Sequence, residues 1–397
     1  MTTSNGNVRA GASDRVAVRT VAALGLVAVM LSVWAGGHVY LWRALVVDTA
    51  LPSPLRGLAS VLFVLLGTTL VAQVVAERLA GPRAVRPLSW IATLWMGVIV
   101  LAFFFLLFSD VMAFVAGIEM PAGSTAARLR AGLVVATTIG VLPFAFRVGW
   151  SPPAVRREEI KLRRWPQGLD GFRIVQISDI HIGPLLDRAF ARDIVTQVAS
   201  LRPDLVAVTG DLVDGALSHL RDEVAPFGEL RAPHGVWFVT GNHDYYSGIA
   251  DWLAEVRRLG MGTLENERVV IETPDGAFEL AGVNDRLGGL FGAAHAQDLE
   301  KSLRGWTGDR PLVLLAHDPT AFHQAWRHGV DLQISGHTHG GQIWPVAYFV
   351  HLAVGFVAGR YRRGQAQLWV SCGTGFWGPP MRLGTVPEIT ELVLRSE

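Results

Sequence analysis

The sequence contains a single cysteine, Cys372, among its 397 residues. One cysteine permits no intrachain disulfide, which is consistent with a reducing compartment, and it excludes a structural zinc site built from several thiolates. The formal net charge is only +1, so the composition does not support a general nucleic-acid-binding role. We find no internal repeat and no low-complexity tract.

Charged residues are also scarce in one part of the chain, because few precede Trp150 and an ordinary number follow it. A membrane-spanning helix needs about 20 apolar residues. Four apolar stretches approach or exceed that length, near residues 20–42, 57–76, 87–109 and 131–149. The fourth is the shortest, and Arg130 and Arg147 flank its uncharged part. We therefore predict a transmembrane domain over residues 1–150 and a second domain over residues 151–397.

Basic residues favour one side of the four predicted spans. The N-terminal tail has three arginines, the loop over 77–86 has three, and the segment 147–164, which starts at the end of the fourth span, has six basic residues, against two in each remaining loop. By the positive-inside rule, we expect a multi-pass protein of the cell (inner) membrane with its second domain in the cytoplasm. If the fourth stretch does not span, the second domain would lie on the opposite side.

After Ser151, short apolar runs alternate with amphipathic segments, and this alternation predicts an α/β layered domain with its site at the carboxyl ends of strands. The predicted strands are 155–162, 172–178, 205–209, 236–240, 268–272, 278–282, 312–316, 332–335, 367–371 and 390–394. The predicted helices are 187–200, 218–230, 249–259, 294–303 and 319–328.

Five clusters of acidic, amide and imidazole side chains follow apolar runs in this second half. They are Asp179 with His181, Asp211 with Asp214, Asn242 with His243 and Asp244, His317, and His337 with His339. One such residue after a strand is usually a helix cap or a turn. Five in succession are hard to obtain from turn chemistry, and ligands without thiolate suit Mn²⁺, Fe or Zn²⁺.

The five clusters, in this order, resemble the motifs of the calcineurin-like metallophosphoesterase family. Those motifs are Asp-x-His, Gly-Asp-x-x-Asp, Gly-Asn-His-Asp/Glu, a lone His and Gly-His-x-His. The resemblance runs from about Phe172 to the C-terminus and fills every motif position. The segments 340–342, 373–375 and 387–390 resemble its membrane-associated bacterial branch. The resemblance implies a sandwich of two β-sheets flanked by helices, here preceded by a bundle of about four transmembrane helices.

The resemblance also implies a site for two divalent metal ions. By position, the first ion would be held by Asp179, His181, Asp211 and His339. Asp211 would bridge to the second ion, which Asn242, His317 and His337 would complete. A bridging carboxylate holds two cations about 3.5–4 Å apart. His243 would be the catalytic general acid, and Asp214 would orient its imidazole.

These features predict a membrane-anchored, metal-dependent phosphoesterase that hydrolyses phosphoester or pyrophosphate bonds with a metal-activated water. The segment Ile343–Gly359 is apolar, and Arg360, Arg362 and Arg363 follow it. It is either a segment of the membrane interface or a helix or hairpin of the core, and the first interpretation favours a phospholipid or nucleotide-linked lipid substrate.

Two alternatives remain open from the sequence. One is a phosphodiesterase acting on a soluble substrate such as a cyclic nucleotide, and the other is a non-catalytic metal-binding membrane sensor. Nucleic acid is not an expected partner, because no basic stripe is present to follow a phosphate backbone. Among weaker candidates, Asn284 and Asp285 would contact substrate or form a simple turn, and Arg382 would contact phosphate.

Overall fold

The computed structural model describes Gly25 and residues 28–397, apart from the side chain of Arg78. The helices among these residues are α1 (28–42), α2 (Ser53–Leu79), α3 (Pro82–Ala116), α4 (Thr125–Gly149), α5 (Arg188–Ser200), α6 (Leu217–Val224), α7 (Asn242–Tyr246), α8 (Ile249–Arg258), α9 (Leu299–Ser302), α10 (Phe322–Ala325) and α11 (Val346–Val354). The strands are β1 (Ala154–Leu162), β2 (Phe172–Ile177), β3 (Leu205–Thr209), β4 (Val236–Val239), β5 (Gly262–Thr263), β6 (Glu267–Thr273), β7 (Gly276–Gly282), β8 (Leu312–Leu315), β9 (Leu332–Ser335), β10 (Gly359–Arg363), β11 (Ala366–Val370) and β12 (Glu388–Ser396).

Three helices of the described part are long and apolar enough to cross a membrane, whereas we expected about four. They cover Ser53–Glu77, Pro82–Ala116 and Thr125–Gly149, and they include the second, third and fourth predicted spans. The first predicted span, 20–42, lies partly outside the described residues, and its portion 28–42 is helical. The shortest predicted stretch, 131–149, thus belongs to a helix of 25 residues. Pro82 occupies the first position of α3, where a backbone N–H would have no partner within the helix, so its absence costs nothing.

The chain forms two compact units, Met1–Thr69 with Val98–Ile139 and Leu70–Gly97 with Gly140–Glu397. Within the first unit, Asp110 accepts hydrogen bonds from the Tyr40 hydroxyl at 2.5 Å and from Arg130 at 2.6 Å. These partners stabilise a carboxylate on an apolar helix, where an unpaired charge would be costly. The domain boundary at residue 150 stays a prediction.

Two six-stranded sheets dominate the second unit, in the orders β1-β12-β2-β3-β4-β5 and β10-β11-β9-β8-β7-β6. Strands β2 to β5 are parallel to one another, and so are β11, β9, β8 and β7. The carboxyl ends of parallel strands share one edge of a sheet, so the loops after these strands converge. This confirms the predicted two-sheet α/β fold.

The central strands β3 and β8 are buried throughout, because both faces of their sheets are covered at these positions. On β3, Leu205 and Ala207 join the core that also contains residues of the opposite sheet, such as Phe278. The alternate residues Val206 and Val208 pack in the cluster that contains residues of α5, α6 and α8. Side chains that alternate along β3 therefore point into two different cores, although the sequence of the strand is apolar almost without interruption.

Several elements differ from the prediction. The predicted helix over 294–303 is interrupted: a 3₁₀ turn covers Ala293–His295, and Asp298 starts α9 by accepting a hydrogen bond from the Lys301 amide at 2.8 Å. Residues 319–328 likewise divide into two 3₁₀ turns around α10. Strands β5 and β10 and helix α7 were not predicted.

Within the segment Ile343–Gly359, the residues of α11 (Val346–Val354) are all at least partly exposed. The interpretation as a core helix or hairpin is therefore wrong. The arginines that follow are engaged with the protein. Arg360 contacts Glu158 at 3.1 Å, Arg362 contacts Glu397 at 3.3 Å, and Arg363 lies over the Trp326 ring.

Candidate metal centre

The predicted site residues follow the carboxyl ends of five strands, three in one sheet and two in the other. Asp179 and His181 follow β2, Asp211 and Asp214 follow β3, Asn242 and His243 follow β4, His317 follows β8, and His337 and His339 follow β9. Their ligand atoms form three groups whose members lie within 4.8 Å of one another: Asp179, His181 and His339; His181, Asp211 and His243; and Asp211, His317 and His337. The structure thus brings the five motifs together.

Most of these residues adopt a backbone conformation that non-glycine residues rarely use. Positive φ angles occur at Asp179 (53°), His181 (54°), Asp211 (52°), His337 (74°) and His339 (49°). Such a conformation costs on the order of 1–3 kcal/mol per residue and persists only where the surroundings enforce it. Its concentration at one place is typical of a functional site.

Two glycines allow the carboxylates to approach the backbone closely. A Cβ at Gly241 would overlap the Oδ1 atom of Asp211, and a Cβ at Gly336 would overlap the Oδ2 atom of Asp179. Since no larger residue fits, the glycines of the Gly-Asn-His and Gly-His-x-His motifs are required by this geometry.

The first group places two imidazole nitrogens unusually close together. The Nε2 atoms of His181 and His339 are 3.1 Å apart, and Asp179 Oδ1 lies 3.5 Å from His339 Nε2. Two facing ring nitrogens can share at most one proton, whereas a cation held between them would satisfy both. His181 and Asp179 are almost fully buried, so this donor set fits a metal ion.

In the third group, formed by Asp211, His317 and His337, the Oδ2 atom of Asp211 lies 3.2 Å from His317 Nε2. The Nδ1–H of His317 donates to the Thr209 carbonyl at 2.8 Å, which leaves Nε2 free as a ligand. His337 Nδ1 lies 3.2 Å from the same Nε2 atom. The buried Oδ1 atom of Asn242 has no hydrogen-bond partner among the described residues. These donors also fit a cation.

Asp214 joins the first group to His243. Its Oδ1 atom accepts a hydrogen bond from His243 Nδ1 at 2.6 Å, and its Oδ2 atom accepts one from His181 Nδ1 at 3.1 Å. A carboxylate only accepts hydrogen bonds, so both Nδ1 atoms carry a proton and both Nε2 atoms remain for other partners. One carboxylate therefore sets the orientation of two imidazoles.

Charge pairing determines the ionisation of this pair. Burial alone would lower the pKa of His243, but the Asp214 carboxylate outweighs burial and raises that pKa to about 9. Burial alone would raise the pKa of Asp214, but the charges of His181 and His243 hold it well below its usual range. The Asp214 carboxylate therefore favours the protonated form of His243.

Asp244, the acid that follows His243 in the third cluster, supports the backbone of the site. Its carboxylate accepts hydrogen bonds from the amides of Asp211 at 3.0 Å, Leu212 at 2.9 Å and Gly241 at 2.8 Å. Asp211 in turn accepts the His243 amide at 2.8 Å. Asp244 thus fixes the loops after β3 and β4 relative to each other.

The weaker candidates are placed as follows. Arg382 is fully buried and donates to the carbonyls of His339, Gly373 and Gly375, so it holds the loops rather than reaching a phosphate. Asp285 is buried and caps the 3₁₀ turn Arg286–Leu290. Of the two roles considered for Asp285, the structure shows the turn.

Two aromatic residues beside His243 were missed. The His243 ring makes edge contacts with Tyr246, at 5.4 Å between centroids, and with Trp377, at 5.6 Å. Tyr246 lies three residues beyond His243 on α7, and its helical spacing was not recognised because that short helix was not predicted. Trp377 is remote in sequence, and no local pattern indicates its position.

Comparisons with known proteins show which family this chain is similar to. Residues 172–341 match the model of the calcineurin-like phosphoesterase family. A transmembrane protein with metallophosphoesterase domain from Bos taurus is 40% identical over 279 residues, which cover 68% of this chain and 63% of that protein. An uncharacterized metallophosphoesterase from Helicobacter pylori (strain J99) is 35% identical over 271 residues, which cover 67% of this chain and 70% of that protein.

Among solved structures, a dimetal phosphatase from Danio rerio is similar with a TM-score of 0.34 and 15% identity, over 51% of this chain and 88% of that one. The chain spans less than two thirds of the length of its bovine relative. The Helicobacter relative, together with the family match, shows that the chain belongs to the calcineurin-like phosphoesterase family. This family uses a dinuclear divalent metal centre.

Proposed function

We propose that the protein is a membrane-anchored phosphoesterase that hydrolyses a phosphoester or pyrophosphate bond at a two-metal site. The observation that carries this proposal is the position of Asp211, a buried carboxylate common to two of the three donor groups. A shared carboxylate is what a pair of cations requires, because it offsets their mutual repulsion.

The first ion would be held by Asp179, His181, Asp211 and His339, and the second by Asp211, Asn242, His317 and His337. Mn²⁺, Fe and Zn²⁺ all suit these oxygen and nitrogen donors. The chemistry that such ions supply when bound is polarisation of the phosphoryl oxygens and a water nucleophile at neutral pH.

The side chains of the protein perform the remaining tasks. His243, whose Nδ1–H is held by Asp214, presents Nε2–H to the leaving-group oxygen and donates the proton as the P–O bond breaks. Asp214 keeps this imidazole in the required tautomer. Asp244 and the left-handed backbone at Asp211 hold the donors in position before substrate arrives, so no reorganisation is needed during the reaction.

The three apolar helices support a location in the cell (inner) membrane, and the distribution of arginines supports a cytoplasmic catalytic half. A phosphoester of a lipid, such as a phospholipid or a nucleotide-linked lipid, would then be available next to the site. Protease treatment of right-side-out vesicles would test the orientation, since the catalytic half should be protected until the membrane is opened.

The test of the function uses purified full-length protein in detergent, stripped of metal and then supplied with Mn²⁺, Zn²⁺ or Fe²⁺. Monoesters, diesters and pyrophosphates would be assayed. We expect metal-dependent turnover that falls by about 10²–10⁴-fold in His243→Asn, the usual contribution of a general acid, and is lost in Asp211→Asn. His219→Asn, an exposed histidine outside the site, is the matched control. Metal binding without turnover of any ester would favour the non-catalytic sensor instead.

A further inference from the structure

Exposed apolar side chains cluster at the edge of the site that carries the general acid. Tyr246 is 57% exposed, Leu290 62%, Phe291 44% and Trp377 47%. Tyr246 and Phe291 have ring centroids 5.8 Å apart, and Tyr246 and Trp377 both contact the His243 ring. Scattered apolar residues on a surface are ordinary, but a cluster beside a reactive group marks a binding surface. We call these four residues, three of which are aromatic, the aromatic rim.

The position of the aromatic rim identifies which part of a substrate it would contact. Asp214 occupies Nδ1 of His243, so the free Nε2–H is the proton source for the leaving group. The leaving group must therefore lie against His243 and, with it, against Tyr246 and Trp377. The rim is a subsite for the leaving group rather than for the phosphoryl group.

Trp377 is held in a fixed relation to the metal-binding loops. Gln342, which ends the Gly-His-x-His-Gly-Gly-Gln segment, accepts the Trp377 amide at 3.2 Å and donates to the Trp377 carbonyl at 2.9 Å. It also donates to the Pro379 carbonyl at 3.0 Å. The subsite is thus built before substrate binds, which lowers the entropic cost of binding.

The residues that follow Trp377 pack against two of the apolar helices, α3 and α4. The backbone of Met381 packs against Gly149 of α4, where an added Cβ would lie 2.6 Å from it. The side chain of Met381 packs against Gly97 of α3. The Arg382 amide donates to the Ala145 carbonyl at 2.9 Å. Trp377 is therefore four residues from a packing contact with α3 and α4, so the leaving-group edge of the site adjoins helices able to cross a membrane.

From this juxtaposition we propose that the aromatic rim binds a long apolar chain on the leaving group, and that the substrate is a phosphoester of a lipid alcohol. This assignment rests on the proposed function and narrows its substrate class. Water adds to phosphorus, the bond to the lipid oxygen breaks with its electrons on that oxygen, and His243 supplies the proton. The products are the lipid alcohol and the phosphate, with the net consumption of one water.

The test compares butyl, hexyl and octyl phosphoesters of whichever ester type wild-type protein hydrolyses, with adenosine monophosphate as the nucleoside comparison. Full-length protein in detergent is used throughout. We expect kcat/KM to rise about tenfold or more from butyl to octyl, since each methylene gains part of its transfer free energy on a half-exposed rim. Trp377→Ala and Phe291→Ala should reduce that ratio to about threefold or less.

Trp344→Ala is the matched control, because Trp344 is 47% exposed, like Trp377, and is not part of the aromatic rim. It should retain the wild-type ratio. A flat chain-length profile in wild type, or a higher kcat/KM for adenosine monophosphate than for the octyl ester, would overturn the lipid assignment. Metal-dependent turnover of the butyl ester tests the proposed function separately from the lipid assignment. If no ester were hydrolysed, both the proposed function and the lipid assignment would be overturned.

Discussion

Asp214 offers a sharp test of the proposed site, because one carboxylate orients both a metal-binding imidazole and the general acid. Replacing it by Asn keeps the shape but leaves a single carbonyl oxygen to accept a hydrogen bond. If that oxygen stays on His243, 2.6 Å away, the amide NH₂ faces His181 Nδ1. His181 must then accept through Nδ1, which moves its proton to Nε2 and removes a metal-binding lone pair.

The size of the effect follows from the contacts. A hydrogen bond to a charged group is worth about 1.5–3 kcal/mol. Loss of a carboxylate that orients a metal-binding histidine typically costs about 10–100-fold in metal affinity. We therefore expect Asp214→Asn to lower the affinity for the ion that His181 would hold by about 10–100-fold and kcat by at least as much, whereas His243→Asn should lower kcat and leave the metal affinity close to wild type.

Two measurements are needed, a calorimetric titration with Mn²⁺ and turnover at saturating Mn²⁺. Asp251→Asn, an exposed acid on α8, is the matched control and should change neither. Asp214 does not have this double role if Asp214→Asn retains both metal affinity and kcat within about twofold of wild type.

Further predictions concern stability and reactivity. Asp244→Asn cannot accept all three buried amide bonds, so it should destabilise the protein by about 1–3 kcal/mol in denaturant unfolding, and an unchanged midpoint would contradict this. Gly149→Ala should destabilise by a similar amount because its Cβ would lie 2.6 Å from the Met381 backbone, while Gly140→Ala, with open space around it, should be neutral or slightly stabilising. Burial and, to a lesser extent, a nearby acidic charge raise the pKa of the Cys372 thiol to about 12. About one thiol in 10⁴ is then ionised at pH 8, so iodoacetamide should label it only after unfolding; rapid labelling of folded protein would be inconsistent with the structure.

The elements that the sequence predicted well are those whose local pattern is strong. Leu205–Thr209 is a continuous run of strand-forming residues and forms β3 with the predicted bounds. By contrast, β5 has two residues, too few to show any period. Helix α7 begins at Asn242, so its five residues are taken up largely by site residues rather than by an apolar stripe.

At the site, the motifs identified the groups of donors but not their supports. Asp214 and Asp244 are both acids of these motifs, yet only the structure shows that one holds two imidazoles and the other three amides. Trp377 and Arg382 depend on contacts between segments far apart in sequence, which no periodicity encodes. Segment 343–359 was ambiguous because an apolar run is compatible with either a core or an interface.

We propose that the five strand-end motifs form a two-metal hydrolytic site. Its most direct test is a titration of metal-stripped, full-length protein with Mn²⁺ while phosphoester hydrolysis is followed. The structure predicts that activity is absent without metal and reaches its plateau at two ions per chain. Full activity without metal, or no hydrolysis at any Mn²⁺ concentration, would contradict it.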